Sequence, residues 1–467
     1  MTTAPATGGD GTSPPVPPAT AADLFSDITA YGAHIVAVEP TGAEPVPADA
    51  RHGRPLQLLW TWLSPNMEFA TVYIGVISVL FFGLGFWTAV AALLLGSALG
   101  ALTQAVLSTG GPRFGVPQMV LSRSAFGFLG NAFPAVLNAA TAGFGWFAVN
   151  SVSGAFALDT LTGLPTLLCL VIVVLAQIAV AYLGHNFVHS FEKYALPVLT
   201  LVFAAASVVT LGKAHLSGSG STGGTAGGFM LAFSAAFGYA AGWNPFASDY
   251  TRYLPTSAPR RLVMLFPGLG IFLGCSVLAV VGAASATIAG GESNPTAAFT
   301  GHLPGWLGNL TLLAIVLGAV SANAINVYSA TMSFVSLGLR RLPRGPVALV
   351  VGVLGFLVAW TGLDDAGASY EAFLLIISYW VAPWLGVVLT EQWLRSRTGE
   401  ADTATAARLA DRSFTAWAGP VAMLAGVLVS VLLFSNQQNS PASSPTRIRA
   451  WVTSPAWWAL CWRRWCM

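Results

Sequence analysis

Residues 237–255 read FGYAAGWNPFASDYTRYLP, and this stretch decides how the rest of the chain is read. It begins inside an apolar run and ends in charge, at Asp249 and Arg252. On the way it places Gly238, Gly242 and Pro245 where an uninterrupted membrane helix favours Leu or Ile. Proline lacks a backbone N–H and clashes with the preceding turn, so a helix through Pro245 must kink or break. In lipid, the freed backbone groups are tolerated only where protein, water or a ligand satisfies them again. A broken helix at membrane depth therefore reads as a binding site, with Trp243 beside the break as a flat stacking surface. The alternative is a Pro/Gly kink that serves packing alone, a common device in membrane helices.

Composition sets the surroundings of that stretch. Of 467 residues, 55% are hydrophobic and only 8% charged, with a mean hydropathy of +0.69. Soluble domains carry roughly 25% charged residues, so the chain reads as an all-α integral membrane protein. A membrane helix needs about 20 apolar residues, and about eleven or twelve such spans fit between Leu56 and Phe434. The net charge of +2 carries no nucleic-acid signal, and the four scattered cysteines make neither a disulfide framework nor a metal site. Residues 1–50, rich in Pro, Ala, Thr and Gly, read as a disordered cytoplasmic tail. Residues 51–438 form the transmembrane domain. The remainder, 439–467, is an atypical Trp/Arg-rich tail standing where a twelfth helix would be: either a lost span or a genuine interfacial segment.

Charge gives the orientation. Fifteen Lys/Arg flank the first span or follow even-numbered spans, whereas loops after odd-numbered spans carry only Lys213 up to residue 440. By the positive-inside rule the N-terminus is cytoplasmic. The loop GHNFVHSFEKY holds His185, His189, Glu192 and Lys193. The two histidines have helical spacing but lack further ligands, and Glu192–Lys193 reads as loop structure, a cytoplasmic gate or simple orientation charge.

Two halves of five spans can be overlaid, each beginning with an interrupted span: TVYIGVISVLFFGLGF with Gly75 and Ser78 in the first, and Gly242 to Pro245 in the sixth. Interruptions at matching places point to an inverted repeat with its site near the midplane. In the third span Trp146 and Asn150 are four apart, and in the eighth Asn323 and Asn326 are three apart, so each pair shares a helix face. Buried amides are costly unless partnered. With two indole plates they suit a planar, uncharged, hydrogen-bonding ring; the alternative is interhelical hydrogen bonding that only holds helices together. Within or near spans lie Glu68, Asp159, Asp249, Glu371 and Glu391, functional candidates by their position. Asp249 could cap or gate the sixth span, or pair with Arg252 at the surface. Phosphate-loop, zinc-protease and serine-hydrolase signatures are missing, so neither an enzyme nor a cofactor is indicated.

These segments resemble the nucleobase–cation symporter family, in its purine–cytosine permease branch. The resemblance is carried by WLSPNMEFAT and FFGLGF, RFGVPQMVLSRSAFG, GWFAVNSVSGAF, LGHNFVHSFEKY, FGYAAGWNPFASDYTRYLP and SANAINVYSA, in order over roughly residues 55–435. It implies a leucine-transporter-like 5+5 inverted repeat with broken first and sixth helices. It also implies alternating access and import across the cell membrane of cytosine or purines (adenine, guanine, hypoxanthine) by cation symport. Carried over, Trp146 and Trp243 sandwich the base, Asn150, Asn323 and Asn326 bond its edge, Gly242 gives backbone access, and Gly75 borders the site. Ser78, Ser321 and Asp249 remain cation or gating candidates. Sodium-coupled relatives present adjacent hydroxyls in the eighth span, whereas here Ser321 is followed by Ala322. Losing an oxygen weakens a hard-cation site, so protons are favoured over sodium. A symporter for another planar heterocycle (allantoin, a hydantoin or a vitamin-like base) is the alternative, and an uncoupled channel or receptor is the third reading.

Overall fold

The computed structural model describes residues 44–182, 185–217, 226–288, 294–338, 344–434, 436–437 and 440–441. The far N-terminal tail and the Trp/Arg-rich tail from 442 lie outside the described residues, as do the Gly/Ser linker at 218–225 and the side chains of His185, His189, Glu192 and Lys193. A two-residue β pairing, Asn436–Gln437 with Ser440–Pro441, is the one named sheet among the described residues.

Everything else of regular structure is helical. The first span is a bent pair, α1 (Gln57–Leu63) and α2 (Phe69–Leu80), joined through a 3-10 turn at Ser64–Asn66 and turned by 58°. Then come α3 (Phe86–Ser108), α4 (Ala132–Thr162), α5 (Thr166–Tyr182) and α6 (His185–Lys213). The sixth span is again a pair, α7 (Ala226–Ala241) and α8 (Ala247–Thr251), separated by a 3-10 turn at Asn244–Phe246. It is followed by α9 (Arg260–Ser285), α10 (Gly305–Ser336), α11 (Arg344–Thr361), α12 (Ala366–Thr398) and α13 (Ala418–Phe434). Five of these helices are long and apolar enough to cross a membrane, and the bent α1–α2 pair makes a sixth.

Three sequence boundaries move. The segment read as a loop after the fourth span is helical from His185 onward as the start of α6. The third span, which the apolar pattern starts near Ala125, begins at Ala132, because Gly127 takes a positive φ of 69° that breaks the preceding short helix. The tail's last residues are ordered: Val46 is buried and its N–H donates to Gly115 O at 2.9 Å, while Arg51 Nε donates back to Val46 O at 2.9 Å.

The packing is internally symmetric. Helix α2 lies on α9 as α7 lies on α3; α5 lies on α10 as α11 lies on α4; α6 touches α1 as α12 touches α7. Two further large interfaces, α3 with α9 and α4 with α10, join matching helices of the two halves, while α6 with α10 and α1 with α9 stand outside these pairs. Each half has an odd number of spans, so a repeat of it must run in the opposite direction through the membrane: the two halves form an inverted repeat. Small residues let the broken helices approach their neighbours. A Cβ on Gly282 would overlap the Val72 carbonyl oxygen, and one on Gly100 would come within 2.6 Å of the Ala240 Cβ.

Candidate substrate site between the interrupted helices

The first interruption falls at Asn66–Glu68, upstream of Gly75. Pro65 sits at the start of the 3-10 turn, Met67 leaves helical geometry (φ −80°, ψ 64°), and Glu68 is extended before the helix restarts at Phe69. Gly75 is regular helix whose missing side chain admits the backbone of α9 at Ala279 and Ala283. It is a packing position and not the edge of the break. Ser78 is buried in the same helix and donates to Ile74 O at 2.8 Å.

The break delivers two polar side chains to the interior. Asn66 Nδ2 donates to Trp62 O at 2.7 Å, which leaves Oδ1 as an acceptor. That oxygen receives the Trp243 indole N–H at 3.0 Å and the Cys275 thiol at 3.5 Å. The first break is thereby tied directly to the sixth. Glu68, buried, accepts the Tyr239 hydroxyl at 3.1 Å; Tyr239 lies 2.5 Å from Thr71 Oγ1, which is also 2.7 Å from Asn66 O.

The sixth break is built from shape. Helix α7 closes with Gly242 N–H on Gly238 O at 2.9 Å, and the chain turns through Trp243 and Pro245 before Phe246 N–H bonds Trp243 O at 3.0 Å. The Trp243 ring is edge-on to Trp62 (centroids 5.8 Å apart) and to Phe246 (5.9 Å). A Cβ on Gly242 would stand 3.4 Å from the Trp146 ring, so this glycine lets the second indole come up to the broken backbone.

Helix α4 supplies that indole. Its residues Thr141–Trp146 form a π-helical turn, a local widening common at functional sites. Trp146 packs edge-on against Tyr239 (5.2 Å) and Phe373 (5.0 Å). One turn further, Asn150 meets α10: its Nδ2 donates to Asn323 Oδ1 at 2.9 Å. Asn326 Nδ2 reaches the same oxygen at 3.2 Å, while Asn323 Nδ2 donates to Phe147 O at 2.9 Å and Ser151 Oγ at 3.3 Å. All three amides are buried. Ser321 is buried on α10 two residues before Asn323.

Asp249 lies elsewhere. It is buried, not at the surface, and its Oδ1 accepts the Gln118 backbone N–H at 2.9 Å, so it caps the short helix Gln118–Leu121. The structure thus gathers Trp146, Asn150, Gly242, Trp243, Asn323 and Asn326, and places Gly75 and Asp249 outside that group. Asn66, Tyr239, Ser151 and Gln177 are participants that sequence reasoning passed over, and Glu68 stood only among several acids. The available signals were Pro65 beside Asn66 and a lone Gln in the apolar run LCLVIVVLAQIAVAYL. Next to the group opens a cavity of about 190 Å³, lined by Phe69, Ala70, Tyr73, Val149, Tyr370 and Phe373 among others. No cluster of three His, Cys, Asp or Glu that could hold a metal occurs among the described residues.

Two discontinuous helices tied at their breaks and facing aromatic and amide side chains on α4 and α10 define a membrane transporter of the inverted-repeat class. The chain belongs to the family of permeases for cytosine/purines, uracil, thiamine and allantoin, which matches residues 45–448. Among relatives, it is 26% identical to the putative purine-cytosine permease YxlA of Bacillus subtilis over 76% of this chain and 79% of that one. It is 29% identical to the purine-cytosine permease fcyB of Emericella nidulans (77% and 74%). It is 27% identical to the vitamin B6 transporter TPN1 of Saccharomyces cerevisiae (76% and 65%). The fold matches that of MHP1, a nucleobase-cation-symport-1 family transporter solved closed with bromovinylhydantoin bound (TM-score 0.71, 21% identity, 92% of this chain and 95% of that one). A Na+-coupled sialic acid symporter shares it more distantly (TM-score 0.59, 14% identity, 87% and 95%).

Proposed function

We propose that this permease imports cytosine and purine bases by proton symport through alternating access, with its N-terminus in the cytoplasm of a plasma-membrane protein. The observation that carries the reading is the convergence of both helix breaks on Trp146, Trp243 and the buried Asn150–Asn323–Asn326 chain. Indole faces stack on any planar base, and amides offer both donor and acceptor to its edge. The purine-cytosine permeases among the relatives support this substrate class. Interrupted helices supply hinges, which alternating access needs and an open channel does not. Trp146 and Trp243 would hold the ring from opposite sides, with Gly242 giving access to the broken backbone. Ser321, lacking a hydroxyl neighbour at Ala322, supports protons over sodium as the coupling ion.

Competition of labelled cytosine uptake by a panel of bases and hydantoins, with and without sodium and with an uncoupler, tests the reading. The expected result is saturable uptake that adenine or hypoxanthine blocks, independent of sodium and collapsed by the uncoupler. Sodium dependence would replace the ion, and uptake insensitive to the uncoupler would remove coupling altogether. A second substrate reading is kept because a vitamin B6 transporter stands among the relatives: uptake of such a base, a hydantoin or allantoin in place of cytosine would retain fold and mechanism and change the cargo.

A further inference from the structure

The polar chain beside the two breaks has a direction, and backbone carbonyls, which can only accept, fix it. Ala319 O takes the Gln177 Nε2 proton at 3.2 Å, so Gln177 Oε1 can only accept, as the Phe147 carbonyl does, and the Ser151 Oγ–H lies between these two acceptors at 2.8 and 2.6 Å. Ser151 then receives Asn323 Nδ2 at 3.3 Å, and the same nitrogen donates to Phe147 O at 2.9 Å. Asn323 Oδ1 therefore faces outward along the chain, toward the Nδ2 atoms of Asn150 (2.9 Å) and Asn326 (3.2 Å). That leaves the Asn150 oxygen pointing at Glu68, 2.8 Å from Oε2 and 3.3 Å from Oε1. Two oxygens at 2.8 Å repel unless a proton lies between them, and this is an ordinary O–H···O separation. The carboxyl's other oxygen, Oε1, accepts the Tyr239 hydroxyl at 3.1 Å, as the carbonyl oxygen of an acid would. The contact with Asn150 is satisfied when Glu68 is a neutral carboxylic acid, its proton lying between Oε2 and the amide oxygen.

Ionisation reverses the chain. A carboxylate calls for the Asn150 Nδ2, which would swing the Asn150 oxygen onto Asn323 Oδ1 at 2.9 Å. Relieving that contact turns the Asn323 amide, and its oxygen then meets the Phe147 carbonyl. The sequence ends at Asn326, whose Oδ1 is buried and bonds no group of the protein as the chain now stands. With Glu68 protonated, Asn326 offers an unsatisfied acceptor, costly to bury and relieved by an N–H of a ligand. With Glu68 ionised, it would turn to offer a donor.

We propose that Glu68 carries the coupled proton, and that its protonation sets the hydrogen-bond polarity which the Asn150–Asn323–Asn326 chain presents to the base. The second half rests on the proton-symport reading given above. The acid form is matched to a substrate presenting an amino or ring N–H, as the cytosine edge does. One proton is taken up with each base and released with it. The groups facing Glu68 include the Tyr239 hydroxyl from α7, Tyr370 from α12, Cys275 from α9 and Asn150 from α4, while α10 brings its backbone to Glu68 at Gly318. Phe69 and Ala70, the next residues along the chain, line the cavity beside the group.

Two measurements on the full-length purified protein test this. The first needs no substrate: the infrared carbonyl band of a protonated carboxylic acid, compared between wild type and Glu68→Gln. A band at neutral pH that vanishes in E68Q supports the assignment; no such band in wild type overturns it. Asn150→Leu keeps the carboxyl but removes its acceptor, so the band should shift and persist, and an unmoved band breaks the link to the amide chain. The second is cytosine affinity against pH. One linked proton weakens wild-type binding by up to about tenfold per pH unit as pH rises. E68Q, whose amide N–H₂ replaces the acid proton, should bind without that slope and lose proton-driven accumulation in proteoliposomes. A wild-type slope and accumulation in E68Q would overturn the proposal. Failure of wild type to accumulate any base would instead sink the symport reading, and the infrared comparison would still decide the protonation of Glu68.

Discussion

The two interrupted helices solve one problem with different materials. Both breaks are 3-10 turns with proline at the start, Ser64-Pro65-Asn66 and Asn244-Pro245-Phe246, and both stand next to a tryptophan-rich cluster. The first break then spends polar residues: Asn66 and Glu68 come into the interior and bond Trp243, Cys275 and Tyr239. The sixth spends small and flat ones, Gly242 and Trp243, and its backbone closes mostly on itself. The first has a short entry and a long continuation, 7 and 12 residues; the sixth has the reverse, 16 and 5. A shared architecture therefore carries a division of labour. One break supplies hydrogen-bonding side chains, the other a flat indole.

The largest effect should come from the packing that holds each break in place. Gly282→Ala drives a methyl into the backbone carbonyl of Val72, where no side chain can yield, at a cost of more than about 3 kcal/mol. Loss of monodisperse protein in size-exclusion chromatography is the expected result. The corresponding contact of the sixth span, Gly100→Ala, meets the Ala240 Cβ at 2.6 Å and the Ala241 nitrogen at 2.8 Å, a less severe overlap that should be milder; equal damage would erase the asymmetry between the two interfaces.

Next are the plates. Trp243→Ala and Trp146→Ala should each weaken base binding by about 1–3 kcal/mol, by analogy with base–aromatic stacking, measured by direct binding of labelled cytosine. Unchanged affinity in both would remove the sixth break as the stacking surface.

Smaller still is the tie between the breaks. Asn66→Ala removes the acceptor of the Trp243 indole N–H and should cost about 1 kcal/mol in cytosine affinity, with folding retained. If Trp243→Phe, which deletes the same donor, has an effect of opposite sign, the bond is not what orients the ring. The smallest change in overall uptake is expected from Asn326→Ala, which should reorder the preference among cytosine, adenine and hypoxanthine at normal surface levels. An unaltered order would assign Asn326 to helix packing alone.

Much of this was legible in the residues. Low charge, apolar length and Lys/Arg alternation depend only on how each segment meets lipid and water, and they gave the class and the approximate place of the spans. Gly242–Pro245 announced its break because proline cannot continue a hydrogen-bonded helix. The helical spacing of Trp146 with Asn150, and of Asn323 with Asn326, placed each pair on one face before any neighbour was known. The first break was misplaced to Gly75 because glycine signals either a bend or a close approach, and sequence does not separate them. Only the position of α9 against Gly75 identifies the second, while the chain bends upstream, in the 3-10 turn at Ser64–Asn66.

What the sequence determined by itself was therefore local: membrane helices, a proline break, faces and charge balance. Tertiary structure alone decided who bonds whom. Asn150 and Asn323 are 173 positions apart, and Tyr239 lies 171 from Glu68, so no spacing rule could link them. Nor could sequence give the direction of the amide chain, which is dictated by carbonyls of Phe147 and Ala319 that face it only once α4, α5 and α10 have packed. A hydrogen bond's polarity is a property of the whole connected set, and that set exists only in the folded protein.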